Sequence, residues 1–154
     1  MRIIAINGLK NCGKVELAEE WDKNFNVSFV KPYSDNMRPT DYILMHKNDL
    51  EFLIEHNLSL AHETVGNHHY LYDIEQMIND FNVVCVDDLM LKQLKENENI
   101  DLITVWVENP KAEPSERCGK LYKQSDYDYV YNKGLDDPGE FLEQMAFDLE
   151  MVQG

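Results

Sequence analysis

The sequence predicts an α/β protein: a parallel central sheet with helices on both faces, interrupted by a small β-rich insertion. Three observations carry that reading. The runs 2–7, 82–88 and 101–107 are continuously apolar or strand-like rather than alternating, as strands buried on both faces are. Segments with helical spacing alternate with these runs. Between Phe25 and Tyr72 lies a block of short, alternating segments that breaks this rhythm.

The first strand is Arg2, Ile3, Ile4, Ala5 and Ile6, and from Lys14 onward Val15, Leu17, Ala18 and Trp21 recur at helical spacing. Between them stands Gly8-Leu-Lys-Asn11-Cys12-Gly13-Lys14, the phosphate-cradling pattern G-x-x-x-x-G-K of a P-loop. Gly8 lets the chain turn sharply off the strand, and Gly13 lets backbone N–H groups approach a polyphosphate. The helix adds unpaired amides and its positive dipole end. Lys14 adds a full charge near the β and γ phosphates. Val15 stands where the full pattern has a Ser or Thr to ligate Mg²⁺, and a valine cannot do so.

The remaining elements follow in order. Segment 25–31 reads as a strand, 32–40 as a polar turn with two prolines, and 41–45 as a short strand. Segment 48–56 places Leu50, Leu53 and Ile54 on one helical face, with Asn48 or Asp49 as cap. Segment 58–65, the turn Gly66-Asn67 and segment 68–72 form a hairpin. A helix is expected over 73–80, with Ile74, Met77 and Ile78 inward. Segment 82–88 is a buried strand ending in two carboxylates, where a site is expected. A helix over 89–98, a strand over 101–107, an exposed loop from 108 and a last strand over 127–132 complete the alternation. Pro138 opens a final helix carrying Phe141, Leu142, Met145, Leu149 and Met151.

Composition narrows the function classes. At 154 residues, 44% hydrophobic, the chain is long enough for one domain with a proper core, expected to span 1–154. A net charge of −15 argues against nucleic acid held by a basic surface. No apolar run reaches bilayer length, and with the first strand starting at Arg2 no signal or transit segment is expected. Cys12, Cys85 and Cys118 are odd in number and lack metal spacing, which fits a reduced cytoplasmic setting. The three arginines, Arg2, Arg38 and Arg117, are few for gripping two phosphorylated substrates. The acidic surface also suits a basic protein partner.

Taken in order, VSFVKPY, DYILMHKNDLEFLIEHN, VGNHHY, NVVCVDD and DYDYVYNKGLDD behind the phosphate loop resemble guanylate kinase over nearly the whole chain. The resemblance implies a core of 1–25 and 73–154, a nucleoside monophosphate arm of about 26–72, a lid reduced to about 110–125, and phosphate transfer from ATP with Mg²⁺ to GMP. It places Gly8, Asn11, Cys12, Gly13, Lys14, Val15 and Asn132 at the ATP site. Ser28, Lys31, Arg38, Tyr42, Glu63, His68 and Asp88 fall at the acceptor site, with Asp87 as the competing register for Asp88. Lys14 and, from the lid, Arg117 take the catalytic roles.

The departures are informative. The family's R-x-x-R pair reads Lys31-Pro-Tyr-Ser here, with Arg38 as a substitute. Its guanine-reading glutamate falls at Leu60 or Ala61, with Glu63 two or three positions along, and its paired tyrosines become His68 and His69. Losing lid arginines matters, because one at the transferring group is worth about a thousand-fold. Two function classes follow: a nucleoside monophosphate kinase with altered or weakened acceptor use (GMP or dGMP-like), or a protein that kept the fold and acts by binding a partner. Three smaller readings accompany them. His62, His68, His69 and Glu63 are arm residues rather than a metal cluster. Cys12 is a loop filler whose pKa a helix N-terminus would lower. Asp87 and Asp88 either cap a helix or bind Mg²⁺ through water.

Overall fold

A computed structural model describes residues 2–37 and 42–153, with side chains as far as Asp148. Five strands form a fully parallel sheet in the order β2-β7-β1-β8-β9: β2 Ser28–Phe29, β7 Phe81–Cys85, β1 Arg2–Gly8, β8 Asp101–Glu108 and β9 Tyr129–Asn132. Side chains alternate across β1, and both sets are buried. Ile3 and Ala5 pack with Met90, Leu91 and Leu94 of α3 (Asp88–Glu96) and with Leu60, Ala61 and Tyr72. Ile4 and Ile6 pack with Leu17, Ala18 and Trp21 of α1 (Lys14–Asn24) and with Leu142 and Met145 of α4 (Pro138–Gln153). That two-sided burial makes the three layers, and it explains why the core strands lack an alternating pattern.

The insertion between β2 and β7 is a second, four-stranded sheet in the order β4-β3-β6-β5: β3 Tyr33–Ser34, β4 Ile43–Leu44, β5 Ser59–Val65 and β6 His68–Asp73. Gly66 at φ +60° and Asn67 turn β5 into β6. Helix α2 (Lys47–Glu55) is capped by His46, whose ring accepts from the Asn48 amide, rather than by Asn48 or Asp49. Gln93 of α3 grips the arm: its Oε1 accepts from the His62 amide at 2.9 Å and its Nε2 donates to the His62 carbonyl at 2.7 Å.

The helix expected over 73–80 is a single 3₁₀ turn, Ile74–Gln76. Asp73 caps it, and Gln76 returns a hydrogen bond to the Asp73 amide, so the cap closes on itself within three residues. Met77 is buried, but Ile78 is 80% exposed, so the helical spacing of these apolar residues has no face behind it. The strand expected over 25–31 is two residues long, although the Val30 amide still bonds the Val83 carbonyl.

Candidate functional site

The phosphate loop is built as the sequence requires. A Cβ on Gly8 would lie 2.4 Å from Cys12 Sγ and 3.0 Å from the Val107 carbonyl, so no larger residue fits. Gly13 caps α1 at φ +99°, a left-handed conformation that glycine adopts freely. The loop is braced from outside: Lys10 and Glu113 exchange backbone hydrogen bonds at 3.0 and 2.8 Å, and Asn109 Nδ2 donates to the Cys12 carbonyl at 3.1 Å. Among the described residues the amides of Gly13, Val15 and Glu16 have no acceptor, which leaves them available to an anion. They border a cavity of about 370 Å³ lined in part by Asn11, Cys12 and Lys14. Cys12 is 1% exposed, and burial pushes its thiol up despite the nearby Lys14 charge; the lowered pKa expected at a helix N-terminus does not occur.

Beside the loop opens a cleft of about 260 Å³ between core and arm, with Lys14, Val15, Tyr42, Glu63, Asp87 and Arg117 in its wall. Glu63 reaches it through a β-bulge. The register of β5 against β6 slips between Ser59 and Ala61, so Leu60 and Ala61 are both buried and Glu63 lands on the inner face opposite Tyr70. Burial, then the adjacent Asp87 carboxyl, push Glu63 up to about 8, while Arg117 and Lys14 pull the other way. Asp87 Oδ1 caps α3 through the Met90 amide, and its buried Oδ2 has no hydrogen-bond partner among the described residues. Arg117 Nη1 lies 3.1 Å from Glu63 Oε1, bridging the loop after β8 to the arm. Lys14 leans toward this cleft, its Nζ 3.4 Å from the Val86 carbonyl and 3.9 Å from Cys118 Sγ.

Asp88 does not line the cleft. Its carboxylate accepts from Asn7 Nδ2 at 2.9 Å and from the amides of Gly119, Lys120 and Leu121 at 3.0, 2.7 and 2.9 Å. Asn7 also donates to Tyr127 Oη, so this buried network fastens the expected lid segment to the end of β1. Segment 110–123 is accordingly a helix-free loop pinned to the core. Of the competing registers, Asp87 is the one that faces the cleft.

Four other expected residues stand apart from the cleft wall. Ser28 sits in β2 opposite Asn82, on the core sheet. Phe29 and Pro32, on either side of Lys31, reach the wall, and the Lys31 carbonyl accepts from Gln76. His68 Nδ1 lies 3.5 Å from Asp35 rather than in the cleft. Asn132 shapes the turn after β9, its amide donating to Asp136 Oδ2 at 2.7 Å. Arg38 lies outside the described residues. His68 meets Asp35, while His62 and His69 bond to Ser59 and Thr64 and lie near enough to each other for His69 to help lower the His62 pKa, after burial.

Sequence reasoning missed Asn109, which holds the loop, and Lys133, whose side chain lies across Gly13. A polar residue just beyond the C-terminal end of a strand was the available signal for Asn109.

With a phosphate loop at the C-terminal edge of a parallel sheet and a β-rich arm facing it, the architecture can be placed. In fold, the chain is similar to guanylate kinase. The crystal structure of guanylate kinase from Anaplasma phagocytophilum superposes with a TM-score of 0.60 at 11% identity, covering 99% of this chain and 85% of that one. No family model matches the sequence, and no curated protein matches it. The guanylate-kinase-like fold thus holds at a level where side chains have diverged almost completely. No helix among the described residues is long and apolar enough to cross a membrane.

Proposed function

We propose that the chain binds a nucleoside triphosphate on the Gly8–Gly13 loop and transfers its terminal phosphate, at reduced efficiency, to a nucleoside monophosphate in the adjoining cleft. The observation that carries this reading is the intact cradle: Gly8 where no side chain fits, Gly13 in a left-handed conformation, acceptor-free amides at Gly13, Val15 and Glu16, and Lys14 reaching into the cleft. Tyr42 and Arg117 supply groups for the acceptor phosphate. The adjacent Glu63 and Asp87 carboxyls in the cleft wall suit the donor-bearing edge of a base such as that of GMP or dGMP. Chemistry here is positioning and electrostatics, so each missing arginine lowers the rate without abolishing binding.

The donor set does not fit a protein-held Mg²⁺. Val15 has methyl groups where a hydroxyl is needed, Asp88 is spent on four donors, and Asp87 Oδ1 caps α3, so that of these three residues a single unpartnered oxygen, Asp87 Oδ2, is left, too few to hold the ion. No step is therefore assigned to a protein-bound metal. Purified protein given ATP and a panel of nucleoside monophosphates is expected to form ADP, and Lys14→Ala to lower the rate about a hundred-fold or more. Absence of turnover with every acceptor overturns the kinase reading.

A second reading is favoured by the 3.1 Å Arg117–Glu63 contact and the pinned loop 110–123, which close the cleft against rearrangement. On that reading the chain is inactive and binds a basic protein through its surface of net charge −15. Capture of one partner equally by the wild type and Lys14→Ala, with no ADP formed, supports it.

A further inference from the structure

We infer that Lys133 is a second polyphosphate-binding cation, supplying from the turn after β9 the charge that the arginine-poor lid loop lacks; this rests on the nucleotide reading above. The geometry is specific. Lys133 Nζ, Cε and Cδ lie 3.0, 3.3 and 3.4 Å from where a Cβ on Gly13 would sit, so the end of the side chain is laid across the glycine of the cradle. Its backbone is fixed. The Lys133 amide donates to the Glu108 carbonyl at 2.9 Å, and Gly134 turns the chain at φ +88°. The amides of Leu135 and Asp136 return to the Asn132 carbonyl at 3.1 and 2.9 Å. A rigid turn therefore aims a four-carbon stem at the loop.

Charge makes the placement informative. In a chain of net −15, no carboxylate among the described residues lies within ion-pairing distance of Lys133 or of Lys14. Of the acidic groups nearby, exposed Glu16 and Glu19 line the loop cavity, and Asp136 Oδ2 accepts from Asn132. Lys14 meanwhile turns toward Val86 and Cys118, on the cleft side. One ammonium group thus lies over Gly13 and the other turns to the cleft side of the next residue, so a polyphosphate on the loop amides would meet both. A charge-assisted contact of this kind is worth about ten-fold in affinity.

Calorimetric titration of the full chain with ATP and, separately, with inorganic tripolyphosphate tests this. Lys133→Ala is expected to weaken both by about ten-fold and to flatten the salt dependence of binding, with an unchanged melting temperature; Lys133→Arg is expected to restore both. Unchanged or tighter binding by Lys133→Ala, alongside loss in Lys14→Ala, overturns the role of Lys133 alone. A loss that Arg fails to restore and that accompanies a lower melting temperature assigns Lys133 a structural role and overturns it too. If the wild type binds neither probe, both this assignment and the nucleotide reading fall.

Discussion

Glu63 shows how far one residue's environment can move its chemistry. Its carboxyl is almost fully buried against Asp87, and its pKa rises from 4.5 to about 8. A raised folded-state pKa means that the native chain binds a proton the unfolded chain has released. The stabilisation is complete below about pH 4.5 and is lost progressively as pH climbs through about 8. Wild type is therefore expected to melt a few degrees lower at pH 8 than at pH 5, and Glu63→Gln, neutral throughout, to lose less over the same interval. Circular-dichroism melts at the two pH values measure the difference. Parallel behaviour of the two proteins would mean that Glu63 is ionised and held by Arg117 alone.

Among the elements, the loop between β8 and β9 is the one whose behaviour the structure changes most. Asp88 holds it by three consecutive amides and holds Asn7 as well, so Asp88→Ala leaves four donors without their acceptor. The expected cost is about 2–4 kcal/mol by urea titration, with faster amide exchange at Gly119, Lys120 and Leu121. A cost below about 0.5 kcal/mol would show that water replaces the carboxylate freely. Why sequence reading reached the loop but not its anchor is physical. The loop amides that Asp88 holds lie 31 to 33 residues away and Asn7 lies 81 away, and no periodicity encodes such contacts. The alternation of β1, α1, β7, α3 and β8 was legible because burial on both faces leaves continuous apolar runs. The 3₁₀ turn at Ile74–Gln76 was not, since Ile74, Met77 and Ile78 imitate a helical face and only tertiary packing withholds the surface it would cover. Glu63 stayed open for a similar reason: one extra residue at Leu60 inverts the facing of all that follows in β5, and a bulge leaves no mark in an alternating string.

For the whole molecule the governing quantity is charge. Its 29 acidic side chains outnumber 14 lysines and arginines, so the folded state carries considerable self-repulsion. Raising NaCl from about 0.01 to about 0.3 M shrinks the screening length from roughly 30 to under 10 Å and should raise the melting temperature by several degrees. A fall instead would mean that local ion pairs such as Arg2–Asp101 outweigh the global term. The parallel sheet carries a separate consequence, for the order of assembly. Arg2 finds its first sheet partner only when Phe81 arrives, and its second with Asp101, whereas Val65 and His68 of the arm meet across two residues. Entropy of closure therefore favours the arm hairpin as an early nucleus, and the central strands must wait for most of the polypeptide before they can zip together. On a ribosome, β1 would remain an unpaired, sticky edge until the strand beginning at Phe81 had emerged, and the chain's acidic charge would keep such intermediates apart.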